Sequence, residues 1–245
     1  MKISFTQIFE HSDVLNPISP TSLVIAGKLA GLKPKSVVLD LGCGKGLPSL
    51  LWAAAFGCRV QGFDLNWDFA EYAGSRARML DLLDKVRYTW DDIRRLRLTR
   101  KYDAVAFLGL GLAQTYGDRD AAMKTFRSVL REGGSLLLAE PAWLKKPVPL
   151  DALKSLSEVE ESFLTETEMV ALLEKYDFEV VGKLVSSKED WELYVLPVYT
   201  SMQRIIDSED ELSEEAEKVI DRFKAEYDAA DKYWNMILWV ARSQR

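Results

Sequence analysis

Residues 37–46 read Val-Val-Leu-Asp-Leu-Gly-Cys-Gly-Lys-Gly. The apolar run suits a strand buried on both faces of a parallel sheet. It ends in an acid, Asp40, and glycines follow at alternate positions, 42, 44 and 46. A turn without Cβ atoms can press its backbone against a ligand. Further on, a second strand over residues 59–63 ends in Asp64. An acid in that register reaches the two hydroxyls of a ribose. Strand, glycine turn, helix, strand and acid predict a nucleoside-binding βαβ unit. Dinucleotide sites space their glycines as Gly-x-Gly-x-x-Gly and lay a pyrophosphate on the helix N-terminus. Here the third glycine comes one residue early and Leu47 follows it. A nicotinamide-dependent oxidoreductase is therefore the minor reading.

The rest of the chain repeats the alternation. Strands are predicted at 86–89, 102–108, 135–139, 178–185 and 236–241, with helices over 20–32, 48–56, 66–83, 120–130 and 165–176. Strands and helices alternating at this spacing give a parallel sheet with right-handed crossovers. Asn66 is placed to cap one helix, and Thr165 with Glu168 forms a capping box for another. Trp191, Tyr194, Val195, Val198 and Met202 fall at helical spacing, a helix that Pro197 should kink or interrupt. Ser208 to Glu211 reads as the cap of a further helix. Residues 141–164 hold three prolines and no clean period, which fits a lid over a binding site or a plain surface connection.

Bulk properties exclude several classes. Hydrophobic content of 48% supports a full core in 245 residues. The net charge of −6 disfavours nucleic acid as a partner. The cluster Arg94, Arg95, Arg97, Arg100 and Lys101 lacks interleaved aromatics and reads as solvated surface. A lone histidine rules out a His-rich metal site. No apolar run is long enough to span a membrane, and the first residues carry no signal-peptide pattern. With Cys43 and Cys58 read as reduced thiols, a cytoplasmic location is expected.

The run Asp-x-Gly-x-Gly-x-Gly at 40–46 resembles motif I of the class I S-adenosylmethionine-dependent methyltransferases. Gly62-Phe63-Asp64-Leu65, Asp91-Asp92-Ile93, Phe107-Leu108-Gly109 and Leu130-Arg131-Glu132-Gly133-Gly134 then match the family's later motifs in order and spacing. Glu140-Pro141-Ala142-Trp143-Leu144, with Trp191-x-x-Tyr194, resembles a branch of small, mostly uncharacterised prokaryotic members. The resemblance implies a doubly wound α/β fold. Its seven-stranded, mostly parallel sheet has helices on both faces, and its last strand slots in antiparallel between strands 5 and 6. It implies one domain over 1–245, with an N-terminal arm at 1–19, a lid at 141–164 and a helical insert at 188–233.

It further implies S-adenosyl-L-methionine as cofactor and no metal. Gly42, Cys43 and Gly44 would offer backbone groups to the methionine moiety, and Asp40 and the Leu108 carbonyl would face its ammonium group. Asp64 would take the ribose hydroxyls and Leu65 one face of the adenine. Asp92 and the Ile93 N–H would meet the adenine edge, with Asp91 competing for that register. His11, Glu140, Trp143, Trp191 and Tyr194 lie on elements expected to border an acceptor pocket, although core packing is the default for such aromatics. His11 could serve as base or simply be an exposed histidine, and no other base stands out. The Asn/Asp-Pro-Pro-aromatic and double-glutamate motifs of other subclasses are absent. A small-molecule methyltransferase is therefore expected, against a non-catalytic S-adenosylmethionine-binding module as the alternative. The N-terminal arm is expected to shape the acceptor side more than the cofactor side.

Overall fold

The computed structural model describes residues 2–149, 163–208 and 211–244. Its centre is a seven-strand sheet of β1 (Val37–Leu41), β2 (Arg59–Asp64), β3 (Val86–Trp90), β4 (Tyr102–Leu108), β5 (Leu130–Trp143), β7 (Phe178–Val185) and β8 (Trp234–Ser243). The spatial order is β3-β2-β1-β4-β5-β8-β7. The first five strands run parallel, and β8 lies antiparallel between β5 and β7, as the resemblance implied. A two-residue β6 (Leu164–Thr165), not foreseen, pairs with the end of β5.

Alternation along each strand sorts side chains to the two faces. Val38, Ala104, Ala106, Leu137 and Leu238 pack with Trp52 and Leu50 of α3 (Leu47–Phe56) and Leu23 of α2 (Pro20–Leu29) on one face. Leu39, Val105, Phe107, Leu136 and Trp239 pack on the other with Phe126 of α6 (Arg119–Val129) and Leu173 of α7 (Glu166–Lys175). Both layers are buried, and together they fix the C-terminal strand ends where the site lies. A third cluster joins α8 (Lys188–Asp207) and α9 (Ser213–Ala229) to Ile8 and Phe9 near the N-terminus and to Trp143 and Trp234.

Local chemistry sets the boundaries. Gly46 opens α3 in the left-handed region, at φ 77°, and Pro48 sits in the first turn. A Cβ on Gly46 would come within 2.6 Å of the Tyr88 hydroxyl and 2.8 Å of the Ala73 methyl, so the position is closed to other residues. Asn66 caps α4 (Trp67–Met79), accepting from the Asp68 and Phe69 amides. Thr165 and Glu168 form the expected capping box.

Several expectations need correction. Pro197 does not interrupt α8, which runs unbroken from Lys188 to Asp207. An unforeseen capping box, Ser187 with Asp190, holds its start. Ser208 ends α8 and does not cap the next helix, and Glu209 and Asp210 lie outside the described residues. Strand β5 continues to Trp143, where a lid was expected to begin; most of that segment, residues 150–162, lies outside the described residues. The short helices α1 (Phe5–Ile8) and α5 (Leu112–Tyr116) carry too few turns to show a period. Among the described residues no helix is long and apolar enough to cross a membrane.

Candidate functional site

The strand order reverses between β1 and β4, and open α/β sheets bind ligands at that point. A cleft of about 570 Å³ opens there, within the range usual for small-molecule and cofactor sites. Asp40 of β1, Gly42, Cys43 and Gly44 of the turn, Asp64 and Leu65 after β2, and Leu108 at the end of β4 all line it. A smaller hollow of about 230 Å³ shares Gly42, Asp64 and Leu65 with the cleft and adds Asp92 and Ile93. The structure thus brings together all nine residues that the resemblance linked to the cofactor.

The turn is shaped by its own acids. Asp64 Oδ2 accepts from the Gly44 amide at 2.8 Å and Oδ1 from the Asn66 amide at 2.8 Å. Burial pushes the Asp64 carboxyl above its usual range, and hydrogen bonds from the Asn66, Gly44 and Leu65 amides pull it back. The Gly42 and Cys43 amides both donate to the Phe63 carbonyl, at 2.8 and 3.0 Å. Both amides are therefore already engaged, and the Cys43 carbonyl accepts from the Gly46 amide at 2.9 Å. Gly44, at φ 52°, lies so close beneath Leu15 that a Cβ there would sit 2.4 Å from that side chain.

Asp40 is 1% exposed. Burial raises its pKa to about 7, against the bond donated at 2.6 Å by the Ser49 hydroxyl and with a further push from Asp64. A buried carboxyl poised near neutrality, with one close neutral partner, marks a candidate functional group. Asp92 is the opposite case. Arg94 grips both of its oxygens, at 2.6–3.1 Å, and holds it at about 2. Asp91 turns aside to accept from the Asp92 amide, so Asp92 is the acid in this wall. Leu65 is 64% exposed and cannot be core. Beside it stand Trp67 and Trp90, packed edge to face, with the Trp90 indole donating to the Leu65 carbonyl. This exposed apolar shelf was not anticipated, because aromatic residues on a strand and a helix read as core.

The N-terminal arm closes one side. Phe5, Asp13, Val14, Leu15 and Asn16 line the 570 Å³ cleft. Asn16 Nδ2 donates to the Leu108 carbonyl at 3.1 Å. Lys45, inside the glycine turn and 5% exposed, donates to the Phe9 and Glu10 carbonyls at 2.6 and 3.2 Å. Its ammonium also lies 4.7 Å from the Tyr72 ring centroid, and burial holds its pKa below the usual lysine range. Asp13 meets Arg76 at 3.0 Å and accepts from the Tyr72 hydroxyl at 3.2 Å. The arm is thus tied to the turn and to α4. Ser49, Lys45 and Asn16 were missed because nothing in their spacing marks them as site residues.

The acceptor-side candidates do not converge on the cleft. Trp143 and Trp191 are each 2% exposed and pack with Tyr194 and Trp234 in the third core cluster. Burial drives the Tyr194 hydroxyl well above its usual range, as for a core tyrosine. His11 is held by α8. Its Nε2 faces the Arg204 guanidinium at 2.5 Å and its Nδ1 faces Ser201 Oγ at 3.1 Å. Arginine only donates, so Nε2 accepts and has no lone pair left for a substrate. Glu140 lines a separate chamber that abuts the cleft.

A family model described as a methyltransferase domain matches residues 38–134, from β1 to the start of β5. The fold matches the crystal structure of an S-adenosylmethionine-dependent methyltransferase from Thiobacillus denitrificans in complex with S-adenosyl-L-homocysteine. That match has TM-score 0.86 and 26% identity, and covers 99% of this chain and 100% of the other. A similar complex from Geobacter sulfurreducens matches with TM-score 0.87 and 25% identity over 98% of both chains. The uncharacterized protein YjhP of Escherichia coli strain K12 is 26% identical over 81% of this chain and 79% of its own. Motif order, strand order and cleft agree with these matches: the chain carries a methyltransferase-domain match over residues 38–134 and has the class I fold of S-adenosylmethionine-dependent methyltransferases.

Proposed function

We propose that this chain binds S-adenosyl-L-methionine in the cleft at the strand-order reversal and transfers its methyl group to a small molecule. The observation that carries the reading is the pairing of Asp64 with the glycine turn inside that cleft. The residues suit the group. A carboxylate at the end of β2 matches a ribose diol, the buried acid Asp40 matches an ammonium group, and the open shelf at Leu65 matches a base face. Bound there, the sulfonium supplies a methyl group on an already charged leaving group.

The chain's own contribution is position. Its walls hold donor and acceptor in line, and alignment of this kind supplies much of a displacement's acceleration. Two assays test this. Calorimetry should show S-adenosylmethionine binding and no binding of NADH. The protein with methyl-labelled donor and a metabolite extract should move label into a small-molecule fraction. Binding without any transfer would favour a non-catalytic module, and NADH binding would overturn the reading.

The arm belongs to the same proposal. Because residues 13–16 form cleft wall, removing residues 1–15 should weaken S-adenosylhomocysteine binding and turnover together, each by roughly tenfold or more, the scale of one lost buried hydrogen-bonded group. Loss of turnover at unchanged affinity would instead place the arm on the acceptor side only.

A further inference from the structure

Beside the cleft lies a second chamber of about 190 Å³. Gly109 and Leu110, just after β4, are wall to both. Pro141, Phe163, Leu164, Met169, Trp234 and Met236 give it an apolar lining. Glu140 lines it while only 6% exposed. One of its oxygens, Oε2, accepts from the Leu112 amide at 3.0 Å. The other, Oε1, is buried and has no hydrogen-bond partner among the described residues. The same is true of the indole Nε1 of Trp234. Buried polar atoms are nearly always paired, so two residues of one chamber lining that carry an orphan acceptor and an orphan donor need explanation.

We infer that this chamber receives the methyl acceptor, and that it selects an uncharged, ring-sized apolar molecule carrying a hydroxyl group that donates to Glu140 Oε1. The inference rests on the reading of the adjoining cleft as the methyl-donor site. Size supports it, since an apolar cavity of about 150 Å³ takes up benzene. Chemistry narrows the ligand further. A carboxylate oxygen accepts and an indole N–H donates. A hydroxyl can satisfy the first and still offer lone pairs to the second. An ammonium group has no lone pair to offer the indole, and that missing acceptor sets it apart from a hydroxyl even though Glu226 lines the chamber with Glu140 and the cationic Arg119. A carboxylate ligand would face Glu140 as a like charge and leave Oε1 unpaired. Glu140 itself is pushed up to about 7 by burial, against the Leu112 and Gly111 amides and Arg119. A neutral donor therefore suits it at either side of neutrality.

The test uses three probes of one ring size, 4-methylphenol, benzylamine and benzoate. Each is titrated by ligand-observed NMR into the full chain, with and without S-adenosylhomocysteine. The expected result is 4-methylphenol binding at least tenfold more tightly than the other two. Glu140→Gln should keep the Leu112 contact through its amide oxygen and turn an NH₂ donor into the chamber. It should lower the phenol-to-benzoate affinity ratio at least tenfold while leaving S-adenosylhomocysteine affinity unchanged and the melting temperature no lower than wild type. Should that variant fold poorly, Trp234→Phe keeps an aromatic ring, removes the orphan donor and should weaken 4-methylphenol while leaving benzylamine, which has no acceptor for that donor, unchanged. Benzoate or benzylamine binding as tightly as the phenol, a ratio unmoved by Glu140→Gln, or no uptake of any probe would overturn the inference and leave the chamber to water. If the phenol preference holds while S-adenosylhomocysteine fails to bind, the donor-site reading falls and the chamber stands.

Discussion

Asp64→Ala is expected to raise the dissociation constant for S-adenosylhomocysteine by roughly 30- to 1,000-fold, or about 2–4 kcal/mol. Two losses add. One is the charge-assisted contact to the ribose hydroxyls that the proposed site makes. The other is internal, because the carboxylate accepts from the Gly44 and Asn66 amides and so holds the turn in shape. Alanine leaves both amides without that partner. Asp64→Asn keeps an acceptor but not the charge, and should cost roughly tenfold. Asp64→Asn should change the melting temperature little, because burial already disfavours the ionised Asp64, whereas Asp64→Ala should lower it modestly through the two unpaired amides. Calorimetry beside a thermal melt separates the two effects. An unchanged dissociation constant in Asp64→Ala would remove the ribose assignment.

Asp40→Asn should weaken binding and strengthen the fold at once. The folded pKa of about 7 stands above the ordinary 3.8, mainly through burial. Between those values the folded state binds the proton that the unfolded state releases. Stability from this group is therefore full below about pH 4 and fades as pH rises to 7. Above pH 7 the buried charge costs on the order of 2–4 kcal/mol. Asparagine removes that cost and still accepts from the Ser49 hydroxyl. At pH 8 the variant should be more stable by about that amount in denaturant titration, a trade often seen at functional sites. Glu140, also near 7, is present in both proteins and cancels in the comparison. Affinity moves the other way. An ammonium group needs the ionised form of Asp40, so wild-type binding should tighten several-fold from pH 6 to 8, and the variant should bind weakly with a flatter profile. A variant less stable at pH 8, or one keeping the wild-type pH dependence of binding, would contradict the assignment.

The sequence made the cofactor side legible for a physical reason. Asp40, Asp64 and Asp92 sit at strand ends, where a hydrophobic run stops and a turn begins, and both signals survive in one dimension. The glycine at 46 was legible because only a residue without Cβ fits against Tyr88 and Ala73. The antiparallel place of β8 was not in the periodicity, which cannot distinguish strand direction, and came from the resemblance alone. Trp143, Trp191 and Tyr194 show what spacing alone leaves open. Aromatic residues near a site and aromatic residues in a core have the same spacing, and only packing separates them. Lys45 was hidden for another reason. Its partners, the Phe9 and Glu10 carbonyls, lie more than thirty residues away and are backbone atoms that any sequence would supply. Glu140 was marked by its place at the end of β5, but its unpaired oxygen appears only once β8 and the 163–169 segment fold against it.

A crystal structure of the chain with S-adenosylhomocysteine is the most direct measurement. It should show both ribose hydroxyls within hydrogen-bond distance of Asp64, the adenine against Leu65 beside Asp92, and the amino group near Asp40 and the Leu108 carbonyl. A nucleoside bound elsewhere, or one seated in the cleft with its ribose turned away from Asp64, would contradict the account.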